Sequence, residues 1–110
     1  MLPKNKRIPR ELFTSILKSR RFANSAHFSV RLGDSASKSA RVAVSVSKKV
    51  SKLAVTRNTV RRRAYTCISP LLASLPAGLY LIMAKAGAEK IKGEALALEL
   101  AGLLKAVERS

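Results

Sequence analysis

The chain has little of what a self-sufficient catalyst uses: one cysteine, one histidine, no tryptophan and six acids among 110 residues. With Cys67 alone there is no intrachain disulfide and no sulfur cluster for a metal, and a cytoplasmic location is expected. His27 has no companion in the sequence for metal or nucleophile chemistry, so a surface or edge role is expected of it. Glu89, Glu94, Glu99 and Glu108 read as solvated positions of the C-terminal segment, and Asp34 sits in a turn. No carboxylate pair or cluster marks a metal-dependent nuclease centre, so any catalysis here draws its chemistry from elsewhere. No apolar run approaches the roughly 18–20 residues of a membrane span. The longest, around Gly78–Ala84, is strand length. The opening MLPKNKRIPREL is charged, with no apolar core and no small-residue cleavage site after it, which is not the pattern of a secretory signal.

Positive charge is what the chain has in excess. It carries 22 Lys and Arg against 6 Asp and Glu, a formal +16. Seventeen of the bases fall in residues 1–63, opposed only by Glu11 and Asp34; residues 64–110 hold 5 against 4. Such a concentration repels itself, a cost easiest to understand if a polyanion normally neutralises it. The 47% apolar content separates the chain from disordered basic tails. Its length suits a single domain, 1–110, with residues 1–9 as a basic N-terminal arm in which Pro3 and Pro9 oppose helix.

Periodicity places the elements. Leu12, Phe13, Ile16 and Leu17 give a short helix from about Arg10 to Ser19 one apolar stripe. His27–Leu32 alternates as a strand, 33–38 is turn material, and Val42, Val44 and Val46 alternate in a second strand, with room for a further strand within 30–46. A long helical pattern runs from about Val55 to Leu75, with Val60, Ala64, Cys67, Ile68 and Leu71 on one side and Pro70 kinking or ending it. Leu79–Ala84 reads as a strand buried on both faces. Residues 85–93 form a loop with room for one helical turn. A last helix from Glu94 carries the stripe Leu96, Leu100, Leu103, Leu104 and Val107. The order α-β-β-α-β-α indicates an α+β sandwich.

Lys48, Lys49, Lys52, Arg57, Arg61, Arg62 and Arg63 gather where the second strand passes into the long helix. Arg57 with Arg61, and Asn58 with Arg62, are neighbours on one arc, offering forked donors to phosphate oxygens and one amide. Arg63 points elsewhere. A solvated helix face is the plain alternative, but no acid stands between Asp34 and Glu89, whereas ordinary surfaces mix both signs. Of the aromatics, Phe13 and Tyr80 fit core or cleft wall, and Phe28, on an open-faced strand, is the better candidate to stack on bases.

The segment VSVSKKVSKLAVTRNTVRRRAY, residues 44–65, resembles the signature of the bacterial ribonuclease P protein subunit: a V-S-K-K strand end, an A-V, then R-N-x-x-[KR]-R-x-x-R on a helix. Arg57, Asn58, Arg61 and Arg62 fall on its functional positions, and Tyr65 stands where the last Arg belongs, able to stack or hydrogen-bond. Arg7, Glu11-Leu12-Phe13 and Phe28 resemble the family's opening helix and first strand, and GLYLIMAKAGA (78–88) its final strand and loop. Leu17 stands where a second Phe is usual, and Leu79 where an acid is common.

The resemblance implies an α-β-β-β-α-β-α two-layer sandwich with a left-handed βαβ crossover, as in a ribosomal small-subunit protein. It implies a non-catalytic subunit of the ribozyme that removes the 5′ leader of precursor tRNA, using Mg²⁺ held mainly by the catalytic RNA. One protein per catalytic RNA is expected, with no membrane and no small-molecule substrate. Arg57, Asn58, Arg61, Arg62 and Tyr65 would meet the catalytic RNA. Phe13, Leu17, Phe28 and Val30 would line a cleft for the leader, with Lys48 and Lys49 at its rim and Lys85 on the same surface. The rival classes are a structural ribosomal protein or general RNA chaperone, and a metal-dependent nuclease acting alone; the ordered motif disfavours the first and the missing acids the second.

Overall fold

The computed structural model describes residues 8–33 and 40–108. Most of the expected basic arm (1–9) and of the turn at 33–38 lies outside them. A 3-10 turn, Arg10–Leu12, leads into helix α1, Phe13–Leu17. Strands β1 (Phe22–Asn24), β2 (Phe28–Gly33) and β3 (Ala40–Ser45) follow. Helix α2 (Ala54–Ile68), strand β4 (Gly78–Ala84) and helix α3 (Gly93–Glu108) complete the chain. The additional strand lies at 22–24, before the first predicted strand rather than inside 30–46. Too short to show alternation, it is recruited by pairing: Phe22, Ala23 and Asn24 sit opposite Arg31, Val30 and Ser29. Pro70 ends α2 as a 3-10 segment, Ser69–Ser74, because proline supplies no amide hydrogen for an α-helical bond.

The sheet order is β1-β2-β4-β3. β2 runs antiparallel to β4, whereas β3 and β4 are parallel neighbours joined through α2, the βαβ unit of the expected architecture. β4 holds the centre because both its faces are buried: Tyr80 and Ile82 enter one core, Leu79 and Leu81 another. The larger core lies between the sheet and α2 and α3. There Phe28, Val30, Leu32, Val42 and Val44 meet Val60, Ala64 and Ile68 of α2 and Leu96, Leu100 and Leu104 of α3. The smaller core, on the opposite face, joins Ile8 and Ile16 to Ala43, Leu79 and Leu81. α1 reaches that face because Gly33 has no side chain; a Cβ there would stand 3.1 Å from Ile16 Cγ1.

One expected role changes, that of Glu99, while Cys67 lies on the apolar side of α2 as expected. Cys67 is half-buried at the rim of the larger core, and burial pushes its thiol up, away from the reactive thiolate. Glu99 is not a solvated helix position. Its carboxylate accepts from the Ser25 hydroxyl at 2.6 Å and the His27 amide at 2.9 Å, and lies 2.7 Å from His27 Nδ1, tying the β1–β2 turn to α3. Burial pushes this carboxyl up, but the hydrogen bonds from His27 and Ser25 outweigh it and hold the group below its ordinary value of 4.5.

Glu99 therefore contributes stability that is complete above the unfolded carboxyl pKa and is lost as pH falls through the lower folded value. Thermal unfolding between pH 3 and 7 should show Glu99→Gln less stable by about 1–3 kcal/mol at neutral pH, the range for leaving buried partners unsatisfied. The gap should close toward pH 3.

Candidate nucleic-acid interface

α2 begins without a side-chain cap and without an acid in its first turn. Of its charges, Arg57 stands in the first turn, where anions rather than cations are stabilised, and Arg61, Arg62 and Arg63 lie mid-helix. The arginines are not equivalent. Arg57 Nη1 donates to the carbonyls of Ser51 and Lys52 at 3.0 and 2.9 Å, closing the loop from β3 over the start of the helix. Arg61 Nη1 donates to Asn58 Oδ1 at 2.7 Å, which splays the Asn58 amide and the remaining guanidinium donors outward. Arg62 is exposed. Arg63 Nη1 donates to the Glu89 carbonyl at 3.1 Å on a different surface, as expected.

Among the described residues the single ion pair is His27–Glu99. None of these arginines has a carboxylate partner there, so the positive charge of the basic arc is not cancelled within the described residues. Lys48 and Lys49 lie exposed on the turn after β3, in the segment that leads from the sheet into α2. Leu53 and Val55, 67% and 78% exposed, set an apolar step beside it.

Tyr65 belongs to the same helical row as Arg57 and Arg61, but its hydroxyl is occupied with the fold. The Val44 amide, on the outer side of edge strand β3, donates to Tyr65 Oη at 3.1 Å, and the half-buried ring packs on the larger core. Where the resemblance suggested an RNA contact, the side chain fastens α2 to the sheet edge.

The expected leader cleft needs a larger correction. Phe13, half-buried, and Leu17, 46% exposed, do stand on the α1 side of the sheet. Phe28 and Val30 do not: both are 0% exposed and face α2 and α3. The alternation of β2 is as the sequence reads, with its two faces exchanged. The apolar set belongs to the larger core, and Ser29, Arg31 and Gly33 are the residues turned toward α1. Tyr80 is likewise core, its hydroxyl donating to the Pro76 carbonyl at 2.8 Å. Lys85 spends its ammonium on the Ser25 carbonyl at 2.8 Å. Beside α1 a groove of about 490 Å³ is lined by Leu12, Ile16, Lys18, Arg21 and Leu79 among others.

The sequence reading did not place on this face the residues paired across the strands on the α1 side: Phe22 with Arg31, and Ser29 with Met83. The signal for Ser29 and Arg31 was present in the alternation of β2; Phe22 depends on a register visible only in three dimensions.

The sequence profile of the ribonuclease P proteins matches residues 2–108, nearly the whole chain. The chain belongs to the ribonuclease P protein family. It is a subunit of ribonuclease P, a tRNA-processing ribonucleoprotein in which its partner is RNA. The fold matches an RNase P protein of Staphylococcus aureus at TM-score 0.82 and 24% identity, covering 91% of this chain and 93% of that one. A mutant of the S. aureus protein with defective mRNA degradation activity gives TM-score 0.87 at 23% identity, over 96% and 90%. The RNase P protein of Thermotoga maritima gives 0.80 at 19%, over 90% and 94%. No curated protein sequence matches the chain. Among the described residues, no helix is long and apolar enough to cross a membrane.

Two substitutions separate fold from interface. Tyr65→Phe should lower stability by about 1 kcal/mol in chemical denaturation, the worth of one hydrogen bond, while the salt dependence of RNA binding stays unchanged. Phe28→Ala should cost about 3–5 kcal/mol as a core cavity and weaken all RNA ligands alike through loss of folded protein.

Proposed function

We propose that this ribonuclease P subunit is the non-catalytic partner of a ribozyme, docking on the catalytic RNA and holding the 5′ leader of precursor tRNA for Mg²⁺-dependent cleavage. The observation that carries the reading is the basic arc Arg57-Asn58-Arg61-Arg62, preceded in the chain by the exposed Lys48 and Lys49 and without a carboxylate partner among the described residues. Forked guanidinium donors on one helix arc suit phosphates held at fixed spacing, as in a structured RNA. The α1-side face of the sheet suits an extended single strand, where phosphate contacts and stacking read little sequence.

The protein's part is electrostatic and positional. Neutralising phosphates lowers the repulsion between catalytic RNA and substrate, and gripping the leader aligns the bond to be cut. Among the described residues no three His, Cys, Asp or Glu side chains come together as metal ligands. In this reading the ion belongs to the RNA, with one protein on each catalytic RNA in the cytoplasm. A structural ribosomal protein or RNA chaperone would share the charge but not the family signature.

Two measurements test this. Added protein should lower the Mg²⁺ concentration at which a bacterial catalytic RNA cleaves precursor tRNA, and should cleave nothing by itself. Arg61→Ala/Arg62→Ala should weaken assembly with the catalytic RNA and reduce the slope of log affinity against log salt by roughly one unit per lost phosphate contact. A full salt slope in the double variant would remove the basic arc from the docking surface.

A further inference from the structure

Phe22 opens β1 at the edge of the sheet with its ring 49% exposed. Its cross-strand partner is Arg31, whose guanidinium carbon stands 5.2 Å from the ring centroid. The guanidinium is held in place, because Arg31 Nη1 donates to the Ser19 carbonyl at 2.9 Å. Ser19 is fixed in turn, its hydroxyl donating to the Leu32 carbonyl at 2.6 Å. Among the described residues no carboxylate pairs with Arg31.

An exposed aromatic is ordinary, and Arg–aromatic pairs occur about once per 70–80 residues. The setting separates this pair from those. Phe22 and Arg31 share the row that crosses the sheet through Leu81 and Ala43, on the α1 side. The next row, Asn24, Ser29, Met83 and Ser45, is half-exposed or exposed on all four strands. It runs from beside Phe22 to the end of β3, where Lys48 and Lys49 follow. Three interstrand steps span roughly 14 Å. One end of this shelf thus carries an open π-face with a fixed, unneutralised guanidinium, and the other a pair of lysines.

We infer that Phe22 and Arg31 form a stacking subsite for one base of an unpaired RNA segment. The base lies on the open face of the Phe22 ring, and the adjoining phosphate meets Arg31. Only an unstacked base can offer its face to a side chain, so the ligand is single-stranded; every base has such a face, so the subsite is tolerant of sequence. The inference rests on the reading of the α1-side face as the leader surface, and it assigns to the edge strand the stacking role that buried Phe28 cannot perform.

The chain has no tryptophan, so Phe22→Trp introduces a single reporter at the subsite. The probes are a single-stranded oligoadenylate and an RNA duplex of equal length at one salt concentration. The single strand should quench the Trp emission saturably; the duplex, bound through charge alone, should leave it unchanged. Phe22→Ala, with the circular dichroism of the parent, should bind the oligoadenylate roughly ten-fold more weakly, and Phe22→Leu should behave like it despite its apolar bulk. Unaltered oligoadenylate affinity in Phe22→Ala, or equal quenching by the duplex, would overturn the subsite. If that happens while Arg61→Ala/Arg62→Ala still loses the catalytic RNA, the subsite fails and the ribonuclease P reading stands.

Discussion

Burial of β4 on both faces is the constraint on which the rest of the molecule depends. A strand whose alternate residues enter two separate cores must lie inside the sheet, with β2 on one side and β3 on the other. That position forces the crossover through α2 and gives α1 a second apolar surface to sit on, Leu79 and Leu81. The sheet then has one face sealed by two long helices and another only partly covered by a five-residue helix. The asymmetry leaves an accessible sheet surface next to a basic helix in a protein of this size.

The electrostatics follow the same division. The acidic side chain that does structural work, Glu99, is spent on the β1–β2 turn, far in sequence from the arginine arc. Arg57, in the first turn of α2, opposes the helix dipole, an effect of up to about 1 kcal/mol where exposed. The arrangement sacrifices some stability of the free protein and leaves the α2 guanidinium groups without carboxylate partners among the described residues. Arg57 and Arg61 show how order is kept at the same time: backbone carbonyls and one amide oxygen, not carboxylates, fix their directions. A neutral acceptor orients a guanidinium without cancelling its charge.

Much of this was legible in the sequence, for identifiable reasons. The stripe Leu96, Leu100, Leu103, Leu104 and Val107 is buried as its spacing requires, and the continuous run of β4 is central as its hydrophobicity requires. The composition and order of the basic arc needed no coordinates. Facing was the harder quantity. Alternation divides β2 correctly into two sets, but nothing local says which set meets the two long helices and which meets α1; the larger core decides, and Phe28 goes to it. β1 was hidden because three residues carry no period, and its existence rests on pairing. Tyr65 could be read as a departure from a motif, but the amide that binds it belongs to a residue 21 positions away.

That last contact has a consequence for how the molecule meets other copies of itself. An exposed strand edge offers a ladder of amides to any chain that can extend beside it, the usual route to strand addition and aggregation. β3 is the outermost strand on its side and is largely uncharged, with Arg41 the lone ionised side chain in Ala40–Ser45, but its edge is covered: Ala40, Val42 and Val44 are all buried. By taking the Val44 amide onto its hydroxyl, Tyr65 closes that ladder toward its C-terminal end with a side chain from a helix that cannot itself continue the sheet. A covered edge keeps a second copy of the chain from adding its own strand at that side of the sheet.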